Sequence, residues 1–363
     1  MKKVSTRQQG GVPSPLNSGK TTPGPPLKVL VVTSEWPTPE NPTFVPFLVE
    51  QVAALREAGI AVEVFPFRGA NNPANYNRAR RQLRQRWDLE SFDLIHAQFG
   101  QSGLVVGKTE TPLVVTFHGS DLHGIVGEGG GYTLKGRLLR TASRRVARRA
   151  TRVILVSWHL SAFLPMHTPF DVIPCGIDLE KFRPMARGEA RSELGLPQED
   201  PLVLFASSPR NPVKRFGLAQ KVMESLGEES PAQLLTLEGI PHERVPLYMN
   251  ACDALLMTSR HEGSPMVIKE ALACNLPVVS LAVGDVADRI SAVEGCVLCR
   301  SEVPGDLATA LSPLLQEPRR VSGRSAVADL DHSILTPKIL SSYRTTLALR
   351  NPGALSANSE PRS

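Results

Sequence analysis

Two carboxylates stand eight residues apart in the stretch from Thr258 to Asp288: Glu262 in a polar turn and Glu270 in the helical pattern after it. Glu262, Gly263, Ser264 and Pro265 open that pattern, and Met266, Val267, Glu270 and Ala271 recur along it at helical spacing. It ends at Cys274 and Asn275, since Pro277 cannot continue a helix. The apolar run Val278-Val279-Ser280 then reads as a buried parallel strand, and residues 254–257 before the turn read as another. Strand, acidic glycine turn, helix and strand bring both carboxylates to one crevice outside the carboxyl ends of the strands. Open α/β sheets bind their ligands there.

A bare pair of glutamates at this spacing is common on solvated helices. The whole block HEGSPMVIKEALACNLPVVS is more specific, and it resembles the E-x7-E signature of retaining glycosyltransferases of family 4. Further segments carry the same resemblance. HAQFG and VVTFHGSDL resemble the family's N-terminal domain, and IPHERVPLYMNACDALLM resembles a helix and strand of its C-terminal one. Cys175-Gly176-Ile177-Asp178, with Phe182 and Pro184, resembles the interdomain connection, Cys175 standing where an Asn is usual. The family usually has glycine in its first loop; this chain has Asn41-Pro42-Thr43-Phe44, which leaves that loop's contacts open. The resemblance spans residues 27–348.

It implies an α/β protein of two Rossmann-like parallel-sheet domains facing across a cleft, the GT-B architecture. The implied reaction moves a sugar from a nucleotide-diphosphate donor to a hydroxyl with the anomeric configuration retained, without metal or other cofactor. By residue, Glu270 would hold the ribose hydroxyls, as acidic groups do in Rossmann sites. Glu262 would contact the sugar, and the N–H groups of Gly263, Ser264, Pro265 (which has none to offer), Met266 and Val267 would open a helix N-terminus suited to anionic oxygens. Lys214, with Arg210 at a shorter spacing than usual, would stabilise the departing diphosphate. His118 would face the donor sugar. As a surface helix residue, Glu270 would be replaceable by Ala at a cost within about 0.5 kcal/mol.

The elements that must position these residues follow from the apolar patterning. Residues 27–33 read as a strand, 47–59 as a helix and 60–65 as a strand, an opening βαβ unit. Helix is expected within 69–90, and strands at 92–97, 113–117, 152–157 and 171–174, with an edge loop at Gln98-Phe99-Gly100. The domains are expected over 27–178 and 179–332. The helix of 333–349 would then be placed to cross back, between flanking tails at 1–26 and 350–363. The stretch between 226 and 254 is short for the family, so one strand-helix pair is expected to be missing.

The chain has 363 residues, 41% hydrophobic, enough for two ordinary cores. Its five cysteines are scattered, and Cys296-x2-Cys299 has no second pair at zinc spacing, which points to a reduced, cytoplasmic protein. The net charge of +6 is local: residues 1–26 hold four basic residues and no acid, and residues 135–152 hold eight and no acid. The latter stretch reads as an amphipathic helix with Leu139, Ala142, Val146 and Ala150 on one face. Two readings stay open for it: the apolar face packs on the sheet beneath solvated arginines, or the helix docks on an anionic membrane. The expected location is therefore the cytoplasm, with peripheral contact at the inner membrane face. Expected partners are the nucleotide sugar and a glycan or lipid-linked acceptor.

Competing classes are a nucleotide-sugar epimerase of the same fold and a non-catalytic sugar-binding or assembly protein. Nucleic acid is not an expected partner, because the basic helix lacks interleaved aromatics. Asp329-Leu330-Asp331 matches a metal-binding Asp-x-Asp literally, but follows the last strand-helix units. Residues 127–131 (GEGGG) do not join a strand to a helix as a phosphate loop would, and read instead as a mobile flap.

Overall fold

The structure is a computed structural model that describes residues 25–350, apart from 40–43, 71, 126, 128–130 and 228–230. Both expected tails fall outside the described residues except at their inner ends, as do Asn41, Pro42, Thr43 and most of the GEGGG stretch.

The N-terminal domain alternates strand and helix. It runs β1 (Lys28–Thr33), α1 (Pro46–Glu57), β2 (Ala61–Pro66), α2 (Pro73–Arg86), β3 (Leu94–Gln98) and α3 (Gly100–Val106). It continues with β4 (Leu113–Phe117), the single turn α4 (Ser120–His123), α5 (Leu134–Arg149), β5 (Arg152–Leu155) and β6 (Phe170–Val172). All six strands are parallel, in the order β2-β1-β3-β4-β5-β6. β3 and β4 are buried at every residue, as central strands covered on both faces must be. The expected edge loop at Gln98-Phe99-Gly100 is corrected accordingly: β3 lies between β1 and β4, and the chain turns from it straight into α3.

The C-terminal domain runs α6 (Arg187–Leu194), β7 (Leu202–Phe205), α7 (Phe216–Leu226), β8 (Gln233–Thr236), α8 (Val245–Ala251) and β9 (Ala254–Met257). Then come α9 (Met266–Ala273), β10 (Val278–Leu281), α10 (Val286–Ile290), β11 (Val297–Cys299) and α11 (Pro304–Gln316). Its five parallel strands take the order β11-β10-β9-β7-β8. The last helix, α12 (His332–Arg350), packs on α1 of the first domain, and its buried Tyr343 hydroxyl lies 2.7 Å from His96 Nδ1 on β3. One continuous apolar core joins the two sheets through Ile177, Phe182, Leu330, Leu335 and Ile339. Arg324 pins the connection between domains by donating to the carbonyls of Leu179 and Phe182.

The buried face of α5 differs from the expected one. Gly136, Ser143, Val146 and Ala147 are buried, whereas Leu139, Ala142 and Ala150 are only half-buried. The reason is the close approach of α3. A Cβ on Gly103 would lie 2.3 Å from Val146 Cγ1, and one on Gly100 would lie 2.6 Å from Ser143 Oγ. Small residues, not the largest apolar ones, therefore select the contact face. No helix among the described residues is long and apolar enough to cross a membrane.

Candidate active site between the two domains

The loops at the carboxyl ends of both sheets meet across the cleft. In the N-terminal domain the organiser is Asp121, a fully buried carboxylate accepting three backbone N–H bonds. These come from His118 (3.0 Å) and Gly119 (2.8 Å) to Oδ1, and from Gly100 (3.0 Å) to Oδ2. Burial pushes its pKa up to about 6, against the pull of those same N–H groups. Nearby Glu35 is raised further, to about 7, by burial and then by the negative charge of Asp121.

His118 is held between the rings of Phe99 and Phe47, with centroids at 4.3 and 5.4 Å. Its Nε2 lies 2.9 Å from Gln98 Oε1, which requires a proton on Nε2. Nδ1 is then a bare acceptor, 3.6 Å from the Cys175 thiol. Burial holds the ring's pKa down to about 3, with His96 and Lys269 adding to the effect, so the imidazole is neutral. The Cys175 thiol is itself pushed up by burial to about 11. The Cys175 carbonyl accepts from Lys269 Nζ at 3.1 Å, and burial lowers the pKa of this enclosed ammonium.

Gly119, with φ +141°, meets Gly263 of the other domain. A Cβ on Gly119 would come within 2.9 Å of Gly263 Cα, and one on Gly263 within 1.9 Å of the His118 carbonyl oxygen. Only glycine permits this contact of backbone on backbone.

On the C-terminal side, Lys214 Nζ donates to Glu262 Oε1 at 2.6 Å. The loop carrying Lys214 is fixed by Thr258, whose hydroxyl donates to the Lys214 carbonyl at 2.8 Å, and by Arg215, an N-cap with φ +53° that donates to the Thr258 carbonyl. Such a positive φ at a non-glycine residue is uncommon and recurs at Val45 and Phe99, both in loops bordering the cleft. Ser264 donates to Asp285 Oδ2 at 2.6 Å, tying the acidic turn to the loop after β10.

A cavity of 310 Å³ lies between these loops, and Lys214, Met266, Val267 and Glu270 line it together with Glu50, His242 and Phe182. Glu270 is not a surface residue. It is 8% exposed, and His242 Nε2 lies 3.0 Å from its Oε1. Lys181 Nζ, 2.8 Å from His242 Nδ1, can only donate there, so the proton on His242 is on Nε2 and points at Glu270. Lys181 also bonds Glu50 of α1 at 3.2 Å, which links the cavity floor to the first domain. The expectation of a freely replaceable Glu270 is corrected by these contacts.

Lys214 and Glu270 thus line one cavity, and Glu262 is joined to it through its pair with Lys214. Arg210 stands apart, 87% exposed in its side chain and 3.2 Å from Glu238. The Asp-x-Asp residues are used elsewhere: Asp329 pairs with Arg289 at 3.0 Å, and Asp331 accepts from the Ser333 N–H. No role was read from the sequence for His242, Lys181, Glu50 or Glu35; His242 and Lys181 lie inside segments that resemble the family, but between the residues that carry the resemblance. Asp121 did carry a signal, an acid three residues after His118, where it can cap the turn.

Chain segments match two family descriptions. Residues 27–181 fit Glycosyltransferase Family 4, and residues 217–317 fit Glycosyl transferases group 1. The chain belongs to the family 4, group 1 glycosyltransferases. Among curated members, it is 31% identical over 219 residues to TuaC of Bacillus subtilis (strain 168), whose name places it in teichuronic acid biosynthesis. That match covers 54% of each protein, so this chain spans about half the length of TuaC. It is 28% identical over 313 residues to D-inositol 3-phosphate glycosyltransferase 1 of Catenulispora acidiphila, covering 70% of this chain and 73% of that one. Of solved structures, sucrose-phosphate synthase from Thermosynechococcus elongatus superposes with a TM-score of 0.74 at 18% identity, covering 89% of this chain and all of that one. HepE of Anabaena, solved in complex with UDP, gives 0.64 at 18% identity, covering 88% and 100%. At such identities the likeness concerns the fold, and the fold is GT-B.

Proposed function

We propose that this glycosyltransferase moves a sugar from a nucleotide-diphosphate sugar to a hydroxyl with retention of anomeric configuration and without a metal. The observation that carries the reading is the convergence of Lys214 and Glu270 on one interdomain cavity at the carboxyl ends of β7 and β9, with Glu262 paired to Lys214 at 2.6 Å. In the reaction the bond from the anomeric carbon to the diphosphate breaks, and a bond to the acceptor oxygen forms on the same face. The acceptor's proton leaves on the released nucleoside diphosphate. Negative charge grows on that leaving group, and the Lys214 ammonium, already oriented by Glu262, is placed to offset it. Arg210 would swing in as a second cation. Glu270 would accept from ribose hydroxyls, its orientation set by His242. The carbonyls and N–H groups of His118, Gly119 and Gly263 would border the sugar, with neutral His118 fixed by Gln98 and Cys175.

HepE's complex with UDP makes uridine donors the first to try. The acceptor would belong to cell-surface polysaccharide or glycolipid synthesis, met at the cytoplasmic face of an anionic membrane; the name of TuaC supports a polysaccharide, and the names of the inositol enzymes make D-inositol 3-phosphate a second acceptor to try. A thermal-shift screen of UDP-, GDP-, ADP- and TDP-sugars tests the donor side, since a ligand at about 100 times its Kd stabilises by about 2.7 kcal/mol. NMR of the anomeric proton in the product, with EDTA present, tests retention and metal independence. No shift with any of these donors, or an inverted product, would overturn the reading.

A further inference from the structure

On the N-terminal domain, away from the donor cavity, α2 and α5 both pack on α3. α2 carries five arginines between Arg78 and Arg86, and α5 carries seven Lys or Arg between Lys135 and Arg149, with no acid in either helix. None of these cations forms an ion pair with a described carboxylate. Arg84 and Arg149 donate to backbone carbonyls of the 106–108 loop, which holds their charge in place without cancelling it.

Between the helices is a cavity of 440 Å³, within the range of ligand pockets. Leu104, Ile125, Leu138, Leu139 and Ala142 give its wall a mostly apolar surface, three exposed cations (Arg80, Lys135, Arg149) border it, and Pro73, Tyr76, Asn77 and Gln101 line the rest. Leu138 is 64% exposed and its neighbour on the helix, Leu134, 76%. Two leucines in water beside an apolar cavity, ringed by unpaired cations, match one kind of surface: hydrocarbon below and phosphate above. An acidic protein would satisfy the charge but leave a narrow apolar cavity unfilled. Interfacial helices bind bilayers with this division of apolar and basic residues, and anionic leaflets attract such clusters.

We infer that this face seats on a bilayer containing anionic phospholipid, with a lipid hydrocarbon chain in the cavity between α2, α3 and α5 and lipid phosphates on Arg80, Lys135 and Arg149. The inference rests on the membrane contact in the reading above and gives it a site; it does not depend on the chemistry of transfer. The seat adjoins the cleft. Gln101, on the cavity wall, follows Gly100, whose N–H binds Asp121, and Ser143 of α5 donates to the Asp121 carbonyl. A bilayer seated here would bring a lipid-borne hydroxyl toward the loop of His118.

Co-sedimentation of the full chain with vesicles tests the seat. The protein should pellet with mixed phosphatidylcholine and phosphatidylglycerol vesicles at low salt, stay in solution with phosphatidylcholine alone, and be released as salt rises. Replacing Arg80 and Lys135 by Gln should weaken binding by about tenfold or more. For the chain site, Leu138→Trp should be quenched by brominated acyl chains in the mixed vesicles, and adding Ala142→Phe, which fills the cavity, should abolish the quenching. Leu134→Ser with Leu138→Ser should weaken binding even if the Phe variant fails to fold. A supernatant protein at low salt overturns the seat. Pelleting without quenching, or with quenching unaltered by Ala142→Phe, overturns the chain site. Donor-induced thermal shifts in the same variants should match those of the unaltered protein, so failure of the membrane seat is separable from failure of the transferase reading.

Discussion

The Lys214 ammonium reaches the Glu262 carboxylate at 2.6 Å across 48 residues of sequence, and Lys214 also lines the interdomain cavity. Both side chains are shielded, at 24% and 14% exposure, so the pair is set before any donor arrives. This preorganisation gives the first prediction. Lys214→Ala should lower kcat by about 100- to 1000-fold, as loss of a preorganised charge stabiliser does. Nucleoside monophosphate should bind nearly as before. Arg210→Gln should cost less, because its surface pair with Glu238 is worth about 1 kcal/mol or less and it must move to reach a donor. Isothermal titration with mono- and diphosphates, beside steady-state rates, separates the two residues; equal losses for both nucleotides would count against a leaving-group role.

Glu270→Ala should weaken donor binding and also destabilise the fold by about 1–3 kcal/mol, since it leaves the His242 N–H without its acceptor in a nearly closed site. Glu270→Gln keeps an acceptor and should recover most of the stability but not the donor affinity. Thermal melts with and without donor read the two effects apart, and unchanged donor affinity in both variants would remove Glu270 from the site.

Gly263→Ala puts a methyl 1.9 Å from the His118 carbonyl oxygen, a distance no rotamer can relieve. The two domain loops must separate, at about 1–3 kcal/mol for an overpacked contact. A fall in melting temperature together with a larger radius in X-ray scattering is expected. A compact, fully stable variant would contradict the backbone contact between Gly263 and His118.

Acid should destabilise the protein. Burial holds His96 and His118 near pKa 3 in the folded state, against about 6.5 when unfolded. Below pH 6.5 the unfolded chain takes up protons on these rings that the folded chain refuses, so stability falls with pH until about 3. Asp121 and Glu35, raised to about 6 and 7, act oppositely and offset nearly all of that loss between pH 7 and 4, because the folded state holds their protons more tightly. The net decline then comes from His123, His159 and His261, whose pKa values burial also lowers. Melting temperatures measured from pH 7 down to 4 should decline, and His118→Asn should flatten or reverse the decline. A His118→Asn profile that matches that of the unaltered protein would contradict a neutral buried imidazole at this position.

Local patterning carried much of the architecture. Strands β1, β4, β7, β9 and β10 are short apolar runs that central parallel strands require, and the acidic turn into α9 is marked by Gly263 and Pro265 beside each other. Where packing rather than pattern decides, the sequence was silent. α3 has only seven residues, one of them an internal glycine, and no periodicity long enough to register. Of the face expected for α5 only Val146 is fully buried; the helical pattern could not show that Gly100 and Gly103 of α3 meet Ser143 and Val146, or that Gly136 packs on the backbone of Ile125.

The site divides in the same way. Glu262, Glu270 and Lys214 stand in segments whose residue types announce them, since a phosphate leaving group and a ribose call for a cation and a carboxylate. Their neighbours could be found only in three dimensions. Glu50 and His242 lie 192 residues apart and meet through Lys181, and His118 receives its partners from Gln98 on β3 and Cys175 in the interdomain connection. By itself the sequence determined that parallel sheets would form, and through its resemblance to family 4 it marked the side chains proposed to hold a nucleotide sugar. Tertiary structure alone decided how buried Glu270 is, which nitrogen of His118 bears the proton, and that Gly119 and Gly263 touch. Those are properties of contacts between segments distant along the chain, and nothing in local periodicity encodes them.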